Sequence, residues 1–290
     1  SLPCKVYKRL GNGRESIESH PIARLLQKSP NPEMTPFTFK ETLTGHILLW
    51  GNAYAEIERN GAGQPVALWP LMPDKMQLKI VDHELIYIYD NRLIFSSDKI
   101  LHIKGLGTDG IQGYSPIAYA RETIGISQAL ERSGATFFAN SSRPAGILTH
   151  PARLSEDAAR RLRQTWDSMY SGSKNVGRTA ILEEAMQWES VSIPNSDAQW
   201  IEARQLAMQD IARIYRVPPH LIGDLSHATF SNIESQQISY LQQTLMPWVR
   251  RWEQELTKKL IVEDDIYVEF LAEEILRGNT SDRYDAYKVA

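Results

Sequence analysis

The spacing of apolar residues changes several times along the chain, and each change marks a new kind of element. Residues 1–40 are cut by Pro21, Pro30, Pro32 and Pro36, which predicts loop with one short amphipathic piece over 22–27. Between 35 and 50, Phe37, Phe39, Leu43, Ile47 and Leu48 recur at helical spacing, predicting a helix that stops before Gly51-Asn52. The period then shortens. Residues 53–58 alternate, Gly61-Ala62-Gly63 turns the chain, and short strands follow at 66–71, 76–81, 85–89, 93–95 and 100–103. The connections are too short for crossover helices, so these strands are expected to form an antiparallel sheet.

A helical pattern takes over at Ser115-Pro116, a good cap followed by proline at the first helical position. Nothing breaks it strongly before Pro144, which predicts about 26 residues of helix, roughly 39 Å long at 1.5 Å per residue. Its small residues, among them Ala118, Gly125, Ala129, Gly134 and Ala135, keep it slim and suit a crowded helix array. A strand is expected at 146–149, a helix capped by Ser155 and ending near Ser171-Gly172, and strands at 178–182 and 186–193. A second long helix starts at 195–197 and ends at Val217-Pro218-Pro219. A third spans 232–260, with Leu241, Leu245, Trp248, Trp252, Leu256 and Leu260 on one stripe and Pro247 predicting a kink. No internal repeat or low-complexity tract interrupts the series. The fold class is therefore α+β: a β-rich antiparallel part, long helices, a small α/β insert and a kinked final helix.

Composition narrows the function classes. The 290 residues are 42% hydrophobic and 23% charged, enough for a packed core in one large domain or two to three smaller ones. Lys and Arg number 32 against 35 Asp and Glu, which argues against broad phosphate neutralisation of a nucleic acid. Cys4 is the only cysteine, so an internal disulfide and a cysteine-based zinc site are excluded. No stretch approaches the roughly 18 apolar residues of a membrane helix, and the N-terminus lacks the apolar core of a signal peptide. A soluble chain of intracellular origin, without a membrane partner, is expected.

Few residues favour catalysis. Gly105-Leu106-Gly107-Thr108-Asp109-Gly110 is a literal G-x-G-x-x-G, but a dinucleotide site also needs a βαβ unit, and the strands before it are antiparallel. A Gly-rich connector is the simpler reading. The seven histidines, at 20, 46, 83, 102, 150, 220 and 227, lack the spacing of a metal site. No nucleophile elbow, Walker-type loop or H-E-x-x-H occurs. Neither catalytic residues, a metal nor a cofactor is expected.

The stretch 224–247 is more telling: it holds no Lys or Arg and only two acids, Asp224 and Glu234, among many Ser, Thr, Asn and Gln. One reading is a polar helix face at a subunit surface. The other is a surface that touches a polyanion without holding it, since without cations there is no counterion release to anchor a phosphate.

The order of motifs carries a resemblance. Gly51-Asn52-Ala53-Tyr54-Ala55-Glu56-Ile57 resembles the G-N-A-Y motif of HK97-type phage portal proteins. The run Gly113-Tyr114-Ser115-Pro116-Ile117-Ala118-Tyr119-Ala120 is similar to the family's start of its first stem helix. Residues 205–234 resemble its second stem helix, its stop, here Val217-Pro218-Pro219-His220-Leu221-Ile222-Gly223, and the start of its tunnel helix. Nearly the whole chain is covered, in order.

That resemblance implies a ring, usually of twelve subunits, at one capsid vertex, through which double-stranded DNA is packaged and later ejected. It implies a wing at 1–114 that resumes at 261–280, and stem helices at 115–141 and 196–223, the latter including the stop. The clip would be 142–195, the tunnel loop and helix 224–260, and the start of a crown 281–290. A crown cut off at Ala290 implies a shortened form of a longer protein. DNA, contacted without sequence specificity, would meet His227, Ala228, Thr229, Phe230, Ser231, Asn232, Glu234 and Gln237. In the clip, Arg153, Glu156, Arg160 and Arg163 would meet the terminase large subunit and then the head–tail adaptor, although the same residues also suit a solvated helix. The major capsid protein and scaffold are further implied partners, with assembly in the host cytoplasm. The alternative is an oligomeric helical adaptor that passes no DNA.

Overall fold

The computed structural model describes residues 2–139, 146–151, 154–170, 185–190, 196–225 and 236–272. The chain divides into two compact units, one of Ser1–Arg121 with Ile211–Ala290, the other of Glu122–Asp210.

Among the described residues, the first unit holds three antiparallel three-stranded sheets. Strands β1 (Cys4–Leu10) and β2 (Gly13–Ser16) form a hairpin where loop was expected. Lys5, Lys8 and Arg9 hide the strand signal in β1, whose pairing comes from β11 (Ile266–Phe270) near the other end of the chain, with Val6 opposite Val268. Helix α1 (Pro21–Gln27) buries Ile22, Ala23, Leu25 and Leu26, as its spacing predicts. Helix α2 (Pro36–Trp50) starts at Thr35, whose side chain accepts from the Thr38 amide. It ends at Gly51, left-handed at φ 76°, whose amide donates to the Ile47 carbonyl.

The six strands expected as one sheet form two. β3 (Asn52–Arg59) lies between β4 (Pro65–Leu71) and β8 (Ile100–Lys104), whereas β5 (Met76–Val81), β6 (Glu84–Tyr89) and β7 (Leu93–Ser96) pair only among themselves. The 3-10 turn at Pro73–Lys75 redirects the chain after β4, and β8 returns to β3 rather than extending β7. Because side chains alternate along a strand, β3 serves two cores. Ala53, Ala55 and Ile57 join a core with Phe39, Leu43, Ile47, Trp252 and Leu256, while Tyr54 joins Met76, Tyr87, Phe95 and Ile100. Each such large side chain removed from water stabilises the fold by roughly 1.5–3 kcal/mol.

The expected single helix after Ser115 is broken. α3 (Pro116–Tyr119) ends at Ala120, with φ −96° and ψ 15°, and α4 (Arg121–Ala139) begins beyond it. Alanine is a strong helix former, so nothing local to the sequence marks the break. α4 opens the second unit, which continues with β9 (Gly146–Thr149), α5 (Glu156–Tyr170), β10 (Gln187–Ser190) and α6 (Ser196–Ile214). β9 and β10 pair antiparallel, Gly146 opposite Ser190. The expected strand at 178–182 lies outside the described residues. Gly134 lies so close to Trp200 of α6 that an added Cβ would meet the indole at 2.3 Å, so one of the small residues serves helix contact within the chain.

Back in the first unit, residues 236–240 are helical, Leu241–Leu245 form a π turn, and α7 (Met246–Leu260) follows. Pro247 lies in the first turn of α7, and the interruption expected there takes the form of the π turn just before it. Among the described residues no helix is long and apolar enough to cross a membrane, and no group of His, Cys, Asp and Glu is arranged to hold a metal ion.

Candidate functional site

The last carbonyls of a helix have no partner within it, and those of α2 are met by side chains, two from distant segments and one from Asn52 just beyond the helix. Ser115 Oγ donates to the Leu49 carbonyl at 2.8 Å, Tyr215 Oη to Leu48 at 3.1 Å, and Asn52 Nδ2 to Trp50 at 3.2 Å. Ser115 stands just before the chain departs into α3 and α4, and Tyr215 just after it returns from α6. One helix end therefore anchors both points.

Asn52, 3% exposed, is the hub of this region. Its Oδ1 accepts from the Gly113 amide at 2.7 Å and pairs with His102 Nε2 at 3.0 Å, and its Nδ2 also donates to the Gly113 carbonyl. His102 Nδ1 continues to Tyr87 Oη at 3.2 Å, so the relay reaches the second core. Burial pushes the His102 pKa down to about 3 and the Tyr87 hydroxyl up to about 12, leaving the relay uncharged at neutral pH.

The Gly-rich loop after β8 folds onto this hub. The Gly105 amide donates to the Gly51 carbonyl at 2.8 Å and Tyr114 to Leu106 at 2.8 Å, while Asp109 Oδ1 accepts from Ile111 and Gln112. A Cβ on Gly107 would lie 1.9 Å from the Gln112 carbonyl oxygen, and one on Gly113 2.2 Å from that of Gly51. Close backbone approach thus accounts for these glycines without a bound phosphate.

Beyond Tyr215 the chain turns at Arg216, left-handed at φ 54°, and the Val217 amide reaches back to Ala212 at 2.9 Å. The Arg216 carbonyl accepts from Thr244 Oγ1 of the π turn at 2.9 Å. Nearby, His220 Nδ1 meets Gln236 Oε1 at 2.7 Å. A cavity of about 420 Å³ opens at Trp50, Asn52 and Tyr114, and a second, of about 620 Å³, lies among Leu106, Tyr119, Tyr215, Pro247 and Trp248. Arg251, at the second cavity, stacks over the Trp248 ring at 4.8 Å.

Of the residues singled out in the sequence for DNA contact, Gln237 is described: it is exposed, in the turn 236–240. His227, Ala228, Thr229, Phe230, Ser231, Asn232 and Glu234 lie outside the described residues. Glu156, Arg160 and Arg163 are exposed on α5 at spacings of four and three, hence on one face, and Arg153 lies outside the described residues. Sequence reasoning missed Tyr215, Thr244 and the Asn52 relay. Only the Gly51-Asn52 pair at a helix end carried a local signal.

Sheets packed on helices, with a helical unit inserted between Arg121 and Ile211, define the class of chain found in the neck of phage-like particles. The neck of the empty gene transfer agent particle, computed with C6 symmetry, contains a chain with the same fold: TM-score 0.73, 25% identity, 98% of this chain and 82% of that one. The sequence matches the phage portal protein family over residues 1–290, and the chain belongs to that family. It is 34% identical to the portal protein of Enterobacteria phage HK97 over 97% of this chain and 69% of that protein. It is 30% identical to the probable portal protein of Streptomyces phage phiC31 over 100% of this chain and 67% of that protein. Portal proteins are structural proteins of the virion that form rings in the particle neck, where they connect head and tail.

Proposed function

We propose that this chain is one subunit of a twelve-membered ring at a single capsid vertex, and that the stretch 224–237 faces double-stranded DNA in its channel. The observation that carries the channel reading is the absence of Lys and Arg from 224 through 247, with Gln237 exposed within that stretch. A phosphate backbone passing such a surface finds no cation to release counterions against, so attachment is weak and passage unhindered.

In this reading 1–114 and 261–280 are the wing, 115–141 with α4 and 196–223 with α6 are the stem, 142–195 with β9, α5 and β10 is the clip, and 224–260 with α7 is the tunnel loop and helix. The exposed face of Glu156, Arg160 and Arg163, with Arg153, docks the terminase large subunit during packaging and a head–tail adaptor afterwards. The wing meets the major capsid protein and scaffold, assembly takes place in the host cytoplasm, and the chain has no catalytic role of its own. Exposed apolar side chains beside the larger cavity, Tyr119 at 85% and Leu106 at 73%, are surface that a neighbouring subunit in a ring would cover.

Negative-stain imaging and native mass measurement of the purified protein test the assembly. Closed rings with an open centre, twelve subunits each, are expected. Small open oligomers without a channel would favour an adaptor that passes no DNA.

A further inference from the structure

Two features distinguish the start of the helix that runs to Leu260. Leu241–Leu245 form a π turn, in which the Met246 amide reaches five residues back to the Leu241 carbonyl. Single π turns inside α-helices mark an extra residue held in the helix and recur at functional sites. Within this one and in the helical turn before it, a side chain is tied to a separate segment. Thr244, 8% exposed, donates its hydroxyl to the Arg216 carbonyl, and Gln236 Oε1 meets His220 Nδ1. In an ordinary helix a threonine hydroxyl commonly returns to its own helix four residues back. Here it leaves the helix.

We propose that Thr244 is a positioning residue: by holding the Arg216 carbonyl it fixes the π register and so decides which face the turn 236–240 presents. α7 is anchored in the core through Trp252, Leu256 and Leu260, so a change in the π turn moves the N-terminal side rather than α7. If the π turn reverts to α-helix, everything before it rotates by about 100° and shifts by about 1.5 Å, one residue of helix. That rotation carries Gln236 away from His220 and moves Gln237 from the face it now occupies. The inference rests on the channel reading only for what that face meets.

Pro247 is the competing cause. Its ring conflicts with the carbonyl four residues back in a regular helix, and a wide turn just before it relieves the conflict. Substitutions separate the two. In assembled rings resolved well enough to trace 236–246, Thr244→Val should lose the π turn and the His220–Gln236 contact, Thr244→Ser should keep both, and Pro247→Ala should keep both. In Thr244→Val the Met246 amide should pass from the Leu241 carbonyl, five residues back, to that of Gln242, four residues back. A π turn retained in Thr244→Val, or lost in Pro247→Ala, overturns the proposal.

Deleting exposed Gln242 removes the extra residue and leaves both flanks facing as before. Thr244→Val combined with that deletion should therefore regain the His220–Gln236 contact, even where Thr244→Val alone fails to assemble. Failure of the combined variant to regain it also overturns the proposal. A rotated 236–240 turn with unchanged packaging of DNA would support the role of Thr244 and count against the channel reading.

Discussion

Asn52 and Gly113, 61 positions apart, are joined twice: the Asn52 side chain accepts from the Gly113 amide and donates to the Gly113 carbonyl, each at 2.7 Å. One buried amide group thereby satisfies both backbone groups of the residue two before Ser115, where the chain leaves the sheets. Replacing Asn52 with alanine strands buried donors and acceptors at Gly113 and His102. A loss of about 2–4 kcal/mol is expected, read as a lowered midpoint in chemical denaturation.

His102 should make the fold acid-sensitive. Its folded pKa, near 3 through burial with Lys104 and Lys259 adding to the effect, lies below the ordinary 6.5. Between these values the unfolded chain takes up a proton that the folded chain refuses. The contribution is absent above pH 6.5, and stability then falls as pH falls toward 3, by about 1.4 kcal/mol per pH unit. His102→Gln should show a flatter pH dependence over that window, whatever its stability at neutral pH. Identical slopes would show that the imidazole is not held neutral.

Two glycines of α4 should respond in opposite ways. Around Gly125 nothing lies within 4 Å of an added Cβ, so Gly125→Ala should stabilise the isolated subunit by about 0.5–1 kcal/mol. Gly134→Ala drives a methyl into Trp200 and should cost about 1–3 kcal/mol. Thermal unfolding reads both, and equal shifts would contradict the packing described here.

Cys4 should stay silent until the fold opens. It is 3% exposed, and burial pushes its thiol pKa up to about 12 from 9.0. A thiol reagent at pH 8 should label it only as fast as the protein unfolds, with denaturant accelerating the reaction. Rapid labelling of native protein would place β1 outside the sheet it forms with β11.

Local signals made most elements legible. Thr35-Pro36 and Gly51 bracket α2, alternation located β3 to β8, and Ser155 with Glu156 and Asp157 located the start of α5. What escaped depends on partners far away in sequence. β1 reads as loop because its strand character comes from β11, and the six-strand pattern cannot tell one sheet from two, since pairing partners are not encoded locally. The break at Ala120 has no local cause, and the contact from Thr244 in the π turn to Arg216 is invisible in the sequence, although Pro247 beside it is not. For the candidate site, composition pointed to the cation-free stretch, while Tyr215 and Ser115 as caps of α2 required the tertiary structure.

The central claim is that DNA passes a surface kept free of cations. Placing lysines at Thr229, Asn232 and Gln237 adds a belt of charge repeated in every subunit. If these residues face the channel, rings should form as before, DNA should bind them more tightly with a steep loss of affinity as salt rises, and packaging should slow or stall. The decisive measurement is the packaging rate of particles carrying intact triple-lysine rings. A marked slowing, partly relieved by added salt, is the expected result. Packaging at the unmodified rate would contradict the account.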